Sequence, residues 1–396
     1  MPGSFTPMTT LSSWQRLRAL IGQQTNAGST SCSPAPGETS VQGAAPSEAS
    51  AQSAAPGNGS KPPDEPFVVP TGFMRSEMAP GQLAVELATA TNLLYTRLSD
   101  TDVAEVEQLI KNTPGAWEHY AKASDGTSKR HVLLGLGASV GAQCLFEKTG
   151  LTGAQPPDDV HAMARDPLSA AGGLYDADLI LDALASAGAT IADIHSALDF
   201  GCSSGRVIRV LAAAYPDIEW HGCDPNAPAI AWANEHLPGI DFFVNGDAPP
   251  LPLPDASLDL AYAISIWSHF APELGLRWFA EMHRIIRPGG YLVCTTHGLT
   301  SVAHYALGEM RTPEQSLEIR DTLYRDGSWY AAEFGEEGDW GVVNPDWGTA
   351  FLTPEWMLTN LCPAWRVLEF APGRNQENQD VYVLQRGLSS RSSPLS

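Results

Sequence analysis

Apolar residues recur along this chain with two different periods. From Ala177 onward the runs ADLILDALASAG, VIRVLAAAY, AIAWANEHL and LGLRWFAEMHRII space them three and four apart, as helices with one buried face do. Between them lie SALDF, IEWHGCD, DFFVNGD, LDLAYAIS and YLVCTTHG, short apolar runs of strand length. This alternation predicts an α/β fold: a Rossmann-like parallel sheet with helices on both faces. Two late runs, WRVLEFAPG and QDVYVLQR, joined by GRNQENQ, predict a closing antiparallel hairpin, which makes seven strands. Before the hairpin comes an insertion at about 299–350, with a helical part, RTPEQSLEIRDTLYR, and then GSWYAAEFGEEGDWGVVNPDWGTAF. A loop of that length inside a compact domain more often serves function than decoration.

Upstream, residues 67–174 read as a helical cap. GQLAVELATATNLLYTRL and SDTDVAEVEQLIKN carry helical spacing, and Ser99 and Asp100 are candidate caps for the second. Residues 1–66 predict a disordered low-complexity tail, since runs such as APSEASAQSAAPGNGS lack the apolar side chains that offset ordering entropy. Within it SSWQRLRALIGQQ suggests a short amphipathic helix on Trp14, Leu17 and Ile21, either an organellar transit peptide or a flexible tail with a sticky helix. The last residues, 389–396, are expected to be flexible.

Composition narrows the partners. The net charge is −22, and the tail holds Arg16, Arg18 and Lys61 against Glu38, Glu48, Asp64 and Glu65, so the acidity belongs to the folded body. Such a surface repels nucleic acid and anionic lipid, and no apolar run is long enough to span a bilayer. Six cysteines, at 32, 144, 202, 223, 294 and 362, form no CxxC pair and show no metal-ligand spacing. Reduced thiols in a cytoplasmic protein without a metal are the simplest expectation.

The chemistry gathers at LDFGCSSG. In an open parallel sheet ligands bind beyond the carboxyl ends of the strands, and Gly201 and Gly205 let a ligand approach the backbone of the first turn. Asp224 ends the next strand, where a carboxylate can accept both hydroxyls of a ribose, and Asp247 follows the third, placed for an adenine amine. A dinucleotide would meet Asp199 with its pyrophosphate and be repelled. A cationic, phosphate-free nucleoside, S-adenosylmethionine, satisfies every feature.

With those motifs in hand, the chain resembles class I S-adenosylmethionine-dependent methyltransferases over about 175–388. LDFGCSSG resembles their glycine-rich motif, GCDPN their second-strand acid, PLPDASLDLAYAISIWSHF their third-to-fourth-strand region, and EMHRIIRPGGYLVCTTHG their helix, Pro-Gly-Gly turn and fifth strand. The resemblance implies that Asp199, Phe200, Gly201, Cys202, Ser203 and Gly205 hold the methionine part, Asp224 and Pro225 the ribose, and Asp247 and Ala248 the adenine. It implies that Ser265 and Trp267 lie near the methyl group. Ser203 stands where many members have glycine, which is tolerable at negative φ.

Methyl transfer needs the acceptor atom held in line, with a base if that atom carries a proton of high pKa. His269 and His297 are the candidate bases or acceptor-positioners, each weighed against a buried structural histidine. Trp329, Tyr330, Trp340 and Trp347, with Glu333, Asp339 and Asp346, either form a lid that stacks on a sugar or aromatic ring or cover the sheet edge. Arg206 and Arg209 are expected on a solvated helix face. The resulting expectation is O-methylation of a sugar, glycan or small-molecule hydroxyl. The alternatives are an N- or C-methyltransferase and a binding module that keeps the cofactor pocket without turnover. A dinucleotide oxidoreductase is disfavoured by Asp199 and the antiparallel ending.

Overall fold

Ser196–Phe200 (β1) is an almost wholly buried strand, as expected of a central strand covered on both faces. The computed structural model describes residues 89–388 except 114, 124–125, 155, 158–159, 161–166, 309, 334–343 and 345–346, with the backbone alone for 167–172. The expected tail, the rest of the first expected helix, the C-terminal residues, Trp340, Asp339 and Asp346 lie outside the described residues.

The strands after β1 are Glu219–Asp224 (β2), Asp241–Val244 (β3), Leu258–Ala263 (β4) and Ile286–Thr296 (β5). Next come Ser328–Ala331 (β6), Thr349–Leu352 (β7), Trp365–Asn375 (β8) and Gln379–Arg386 (β9). Seven of them form one sheet in the order β3-β2-β1-β4-β5-β9-β8, while β6 and β7 pair separately. β1 to β5 run parallel, and β9 is antiparallel to both β5 and β8. The hairpin link is shorter than expected, since GRN extends β8 and only Gln376 to Asn378 turn. The Pro-Gly-Gly segment likewise belongs to β5, as an irregularity between the pairs Leu258↔Ile286 and Leu260↔Tyr291.

Side chains alternate across the sheet. Leu260, Tyr262 and Val293 join one core; Ala261, Ala263, Leu292 and Cys294 join the other. The first core receives the cap helices Thr89–Tyr95 (α1), Asp100–Asn112 (α2), Ala116–Lys122 (α3), Thr127–Ser139 (α4) and Gln143–Thr149 (α5). Ser99 caps α2 as expected, in a box closed by Asp102.

Pro167–Ser186 (α6) begins ten residues before the expected run at Ala177 and ties three regions together through buried acids. Asp178 accepts from the Ala90 and Thr91 amides at the start of α1 and from His131. Asp176 pairs with Arg206 at 2.5 Å, and Asp182 with Arg374 at 2.5 Å. Gly173 is needed here, because a Cβ would lie 2.5 Å from the Arg206 carbonyl oxygen. The remaining helices are Ile208–Ala214 (α7), Ala227–His236 (α8), Pro272–Ile285 (α9), Leu299–Leu307 (α10), Pro313–Asp326 (α11) and Pro354–Leu361 (α12). Among the described residues, no helix is long and apolar enough to cross a membrane.

Candidate active site

The carboxyl ends of β1 and β2 meet in one loop. Gly201 and Cys202 both donate to the Cys223 carbonyl, at 2.9 and 3.0 Å, and so pin the loop to β2. Gly201 (φ +84) and Gly205 (φ +78) adopt left-handed backbone, and added Cβ atoms would strike Ile266 at 2.1 Å and Leu237 at 2.5 Å. Asp224 accepts from the Ser203 amide at 2.8 Å and the Asn226 amide at 2.9 Å. Asn226 in turn caps α8, accepting from Ala229 at 3.1 Å. Asp199 is 4% exposed, and its Oδ2 is buried with no hydrogen-bond partner. Burial pushes its carboxyl up to about 7 and that of Asp224 up to about 6. Two desolvated carboxylates, near the ends of β1 and β2 beside a close-approach loop, are arranged for a cationic, hydroxyl-bearing ligand.

The ends of β4, β5 and β9 form a second, denser polar cluster. His269 Nδ1 lies 3.0 Å from the Gly348 carbonyl and His297 Nδ1 lies 3.2 Å from the Ala350 carbonyl. A carbonyl only accepts, so both rings carry their proton on Nδ1 and turn a lone pair outward on Nε2. Burial holds both neutral, lowering His269 to about 4 and His297 well below the usual histidine range. His297 Nε2 faces the Tyr305 hydroxyl at 2.9 Å, and His269 Nε2 lies 3.5 Å from Ser265 Oγ. Gln379 is the hub. Its Nε2 donates to Ser265 at 2.7 Å and sits 3.3 Å from His297 Nε2, while its Oε1 accepts from Thr295 at 2.8 Å and Asn375 at 3.1 Å.

β7 of the insertion runs into this cluster. Gly348 donates to the His269 carbonyl, Ala350 to that of Ser268 and Leu352 to that of His297. The strand and Gly348 just before it therefore stitch the segments after β4 and β5 together and supply both carbonyls that fix the histidines. That geometry differs from a detachable lid.

The methyltransferase domain family matches residues 197–290, from β1 into β5. The chain contains a methyltransferase domain. Over 100 residues, 25% of this chain, it is 36% identical to the phthiotriol/phenolphthiotriol dimycocerosates methyltransferase 1 of Mycobacterium ulcerans, covering 36% of that protein. It is 34% identical over 108 residues (27% of this chain) to the malonyl-[acyl-carrier protein] O-methyltransferase of Methylococcus capsulatus, covering 38% of it. Over 100 residues (25% of this chain) it is 32% identical to the fatty-acid O-methyltransferase of Mycolicibacterium smegmatis, covering 35% of it. The match thus spans between a third and two-fifths of these curated relatives. A solved S-adenosylmethionine-dependent methyltransferase from Methanosarcina mazei aligns over 49% of this chain and 93% of its own, at 22% identity and a TM-score of 0.36. The assignment of the fold rests on the strand order described above.

Within the methyltransferase domain, several expected residues sit differently from the sequence reading. Ser203 has φ +49, against the expected negative value, a strain on the order of 1 kcal/mol held in place by the amide bond to Asp224. Trp267 does not face the pocket: it is 1% exposed, stacks on Phe279 and donates to the Gly275 carbonyl at 3.1 Å. Phe200 and Cys202 bury their side chains too, which leaves their backbone facing the loop. Arg206 and Arg209 are not solvated. Arg206 holds Asp176, while Arg209 donates to the Ala154 and Ser204 carbonyls and covers the Trp232 ring.

Asp247 and Ala248 are exposed beyond β3, and Pro225 follows Asp224 into α8. Trp347 packs on Phe270, and Trp329 packs on Phe351 beneath Arg311. Sequence reasoning missed Thr295, Tyr305 and the acids of α6, while GRNQENQD, which holds Gln379, reads from sequence either as amides added to the pocket or as a polar turn. The one available signal was polar residues at strand ends, in VCTTHG and QDVYVL.

Proposed function

We propose that the protein is an S-adenosylmethionine-dependent O-methyltransferase acting on a hydroxyl of a small molecule or sugar. The observation that carries this reading is the orphaned, buried Oδ2 of Asp199 near the end of β1, just before a close-approach glycine loop, which suits an ammonium and repels a pyrophosphate. The curated relatives, methyltransferases of lipid or acyl substrates by name, support the reaction class.

The bound S-adenosylmethionine supplies an electrophilic methyl group on a positively charged sulfur. In this reading Asp199 and the amides of Gly201 to Gly205 hold its amino-acid end, and Asp224 takes the ribose hydroxyls on its remaining lone pairs. Asp247 and Ala248 flank the adenine. Ser265, left-handed at φ +62, turns the chain at the end of β4 toward the reacting centre. With S-adenosylmethionine held there as methyl donor, Nε2 of His269 would position the acceptor hydroxyl and take its proton. The carbonyl of Gly348 then stabilises the imidazolium through Nδ1–H.

A second reading is methylation of a fatty-acyl carboxylate, as the name of the Mycolicibacterium relative describes for that protein. It is favoured by the low His269 pKa of about 4, since a carboxylate oxygen needs no base. Transfer of labelled methyl from S-adenosylmethionine to hydroxyl and carboxylate acceptors separates the two. The first reading expects an alkali-stable ether whose formation needs His269, whereas an alkali-labile ester formed equally by the wild type and His269→Ala would replace it.

A further inference from the structure

The turn of the closing hairpin leaves part of its hydrogen-bonding capacity unused. Gln379 is saturated, with bonds to Ser265, Thr295 and Asn375. Asn375, 7% exposed, spends Nδ2 on Gln379 and keeps Oδ1 buried and unpartnered. Asn378 Oδ1 too is buried and unpartnered. Glu377 Oε1 is a third such oxygen. A buried acceptor without a partner costs roughly 1–3 kcal/mol, so three within four residues mark a place for a guest that donates hydrogen bonds.

The neighbourhood identifies the guest's chemistry. The Asn378 carbonyl accepts from Ser301 of α10, and Asn375 joins the turn through Gln379 to His297, so the turn borders the pocket of the two histidines. A carboxylate or phosphate brings only acceptors and meets these oxygens with repulsion. An ammonium would satisfy them, but it would approach Arg374, the preceding residue, whose Nη1 is also buried and unpartnered while Nη2 is held by Asp182. Hydroxyl groups donate and accept, and match both kinds of orphan.

We propose that the 375–378 turn is a recognition site for hydroxyl groups adjacent to the one methylated, so that the acceptor is a polyol such as a sugar. This rests on the O-methyltransferase reading above and narrows its substrate class.

The test uses the full chain loaded with S-adenosylhomocysteine. Saturation-transfer NMR measures binding of a methyl hexoside, with decanoate and decylamine as the carboxylate and ammonium probes. Asn378→Leu and Asn375→Leu remove the orphaned oxygens at similar volume, and affinity for S-adenosylhomocysteine reports whether each variant is folded. If Asn375→Leu loses that affinity, Asn378→Leu alone decides. The expected result is hexoside binding weakened about tenfold by the substitution, the loss of one hydrogen bond, with S-adenosylhomocysteine binding unchanged.

Three results overturn the proposal: no hexoside binding, hexoside binding indifferent to the substitution because the oxygens hold only water, or preference for decanoate or decylamine. Labelled-methyl transfer to the hexoside keeps the two readings apart. Binding that depends on Asn378 without transfer retains the recognition site and removes the O-methyltransferase reading. Transfer that is indifferent to Asn378 does the reverse.

Discussion

The two halves of the pocket are built by opposite means. The half at the ends of β1 and β2 is local: one loop of seven residues and one acid a strand later, with left-handed glycines, the buried carboxylate of Asp199 and the half-buried one of Asp224. The half at the ends of β4, β5 and β9 is assembled from distant segments, as in the bond from Gln379 to Ser265, 114 residues apart, and it is held by neutral side-chain hydrogen bonds. A local site can be made by a motif, whereas a networked one requires the whole fold to be in register. The charge economy differs accordingly: the first half stores desolvated negative charge for a cation, and the second keeps its histidines neutral for proton transfer.

The contrast breaks first at His269. Replacing it with alanine is expected to lower kcat about 10²–10⁴-fold, the usual contribution of a positioned base, while S-adenosylmethionine affinity by calorimetry stays the same. Normal turnover in that variant removes the base and with it the division of labour between the halves. Gly201→Ala probes the other side. It forces a Cβ onto Ile266 from left-handed backbone and is expected to cost about 2–4 kcal/mol in urea unfolding, together with loss of cofactor binding.

A smaller effect, opposite in sign for the two halves, comes with pH. Asp199 has its folded pKa raised to about 7, so its contribution to stability is full below the unfolded value near 3.8 and is lost as pH rises through 7. Asp199→Asn should therefore unfold later than wild type at pH 8, gain little at pH 4, and lose the increase in S-adenosylmethionine affinity that wild type shows between pH 5 and 7. His269, lowered to about 4, contributes stability that is present above 6.5 and is lost as pH falls toward 4. Acid thus weakens the acceptor half and alkali the empty cofactor half. Urea midpoints raised by the same amount for Asp199→Asn at both pH values would contradict this.

The smallest effect is expected at Glu333, which pairs with Arg311 and accepts from Thr349 at 2.7 Å. Glu333→Ala should cost about 1 kcal/mol by thermal unfolding and leave cofactor affinity untouched, because backbone bonds from β7 already fasten the insertion.

Legibility in the sequence followed the same division. The succession of helices and strands, the glycine loop and Asp224 were readable because helix and strand periods, φ-permissive residues and a carboxylate at a fixed spacing are short-range signals. His269 and His297 were readable as residue types, but not their tautomers, which depend on carbonyls of Gly348 and β7 some 50 to 80 residues later. Trp267 looked like a pocket aromatic and is a core residue, since the sequence of SIWSHF does not reveal which way its indole turns. Arg206 looked solvated because its partner, Asp176, lies on a helix whose start was read ten residues late. Gln379 lies in GRNQENQD, whose amides either add to the pocket or only turn the chain, and the sequence does not choose between these until four partners converge on it.

The most direct measurement is calorimetric titration of the full chain with S-adenosylmethionine and, separately, with NAD, at pH 5 and pH 7. The account predicts that S-adenosylmethionine binds, more tightly at pH 7 as Asp199 ionises, and that NAD does not. Binding of NAD in place of S-adenosylmethionine, or S-adenosylmethionine binding of equal strength in Asp199→Asn, would contradict it.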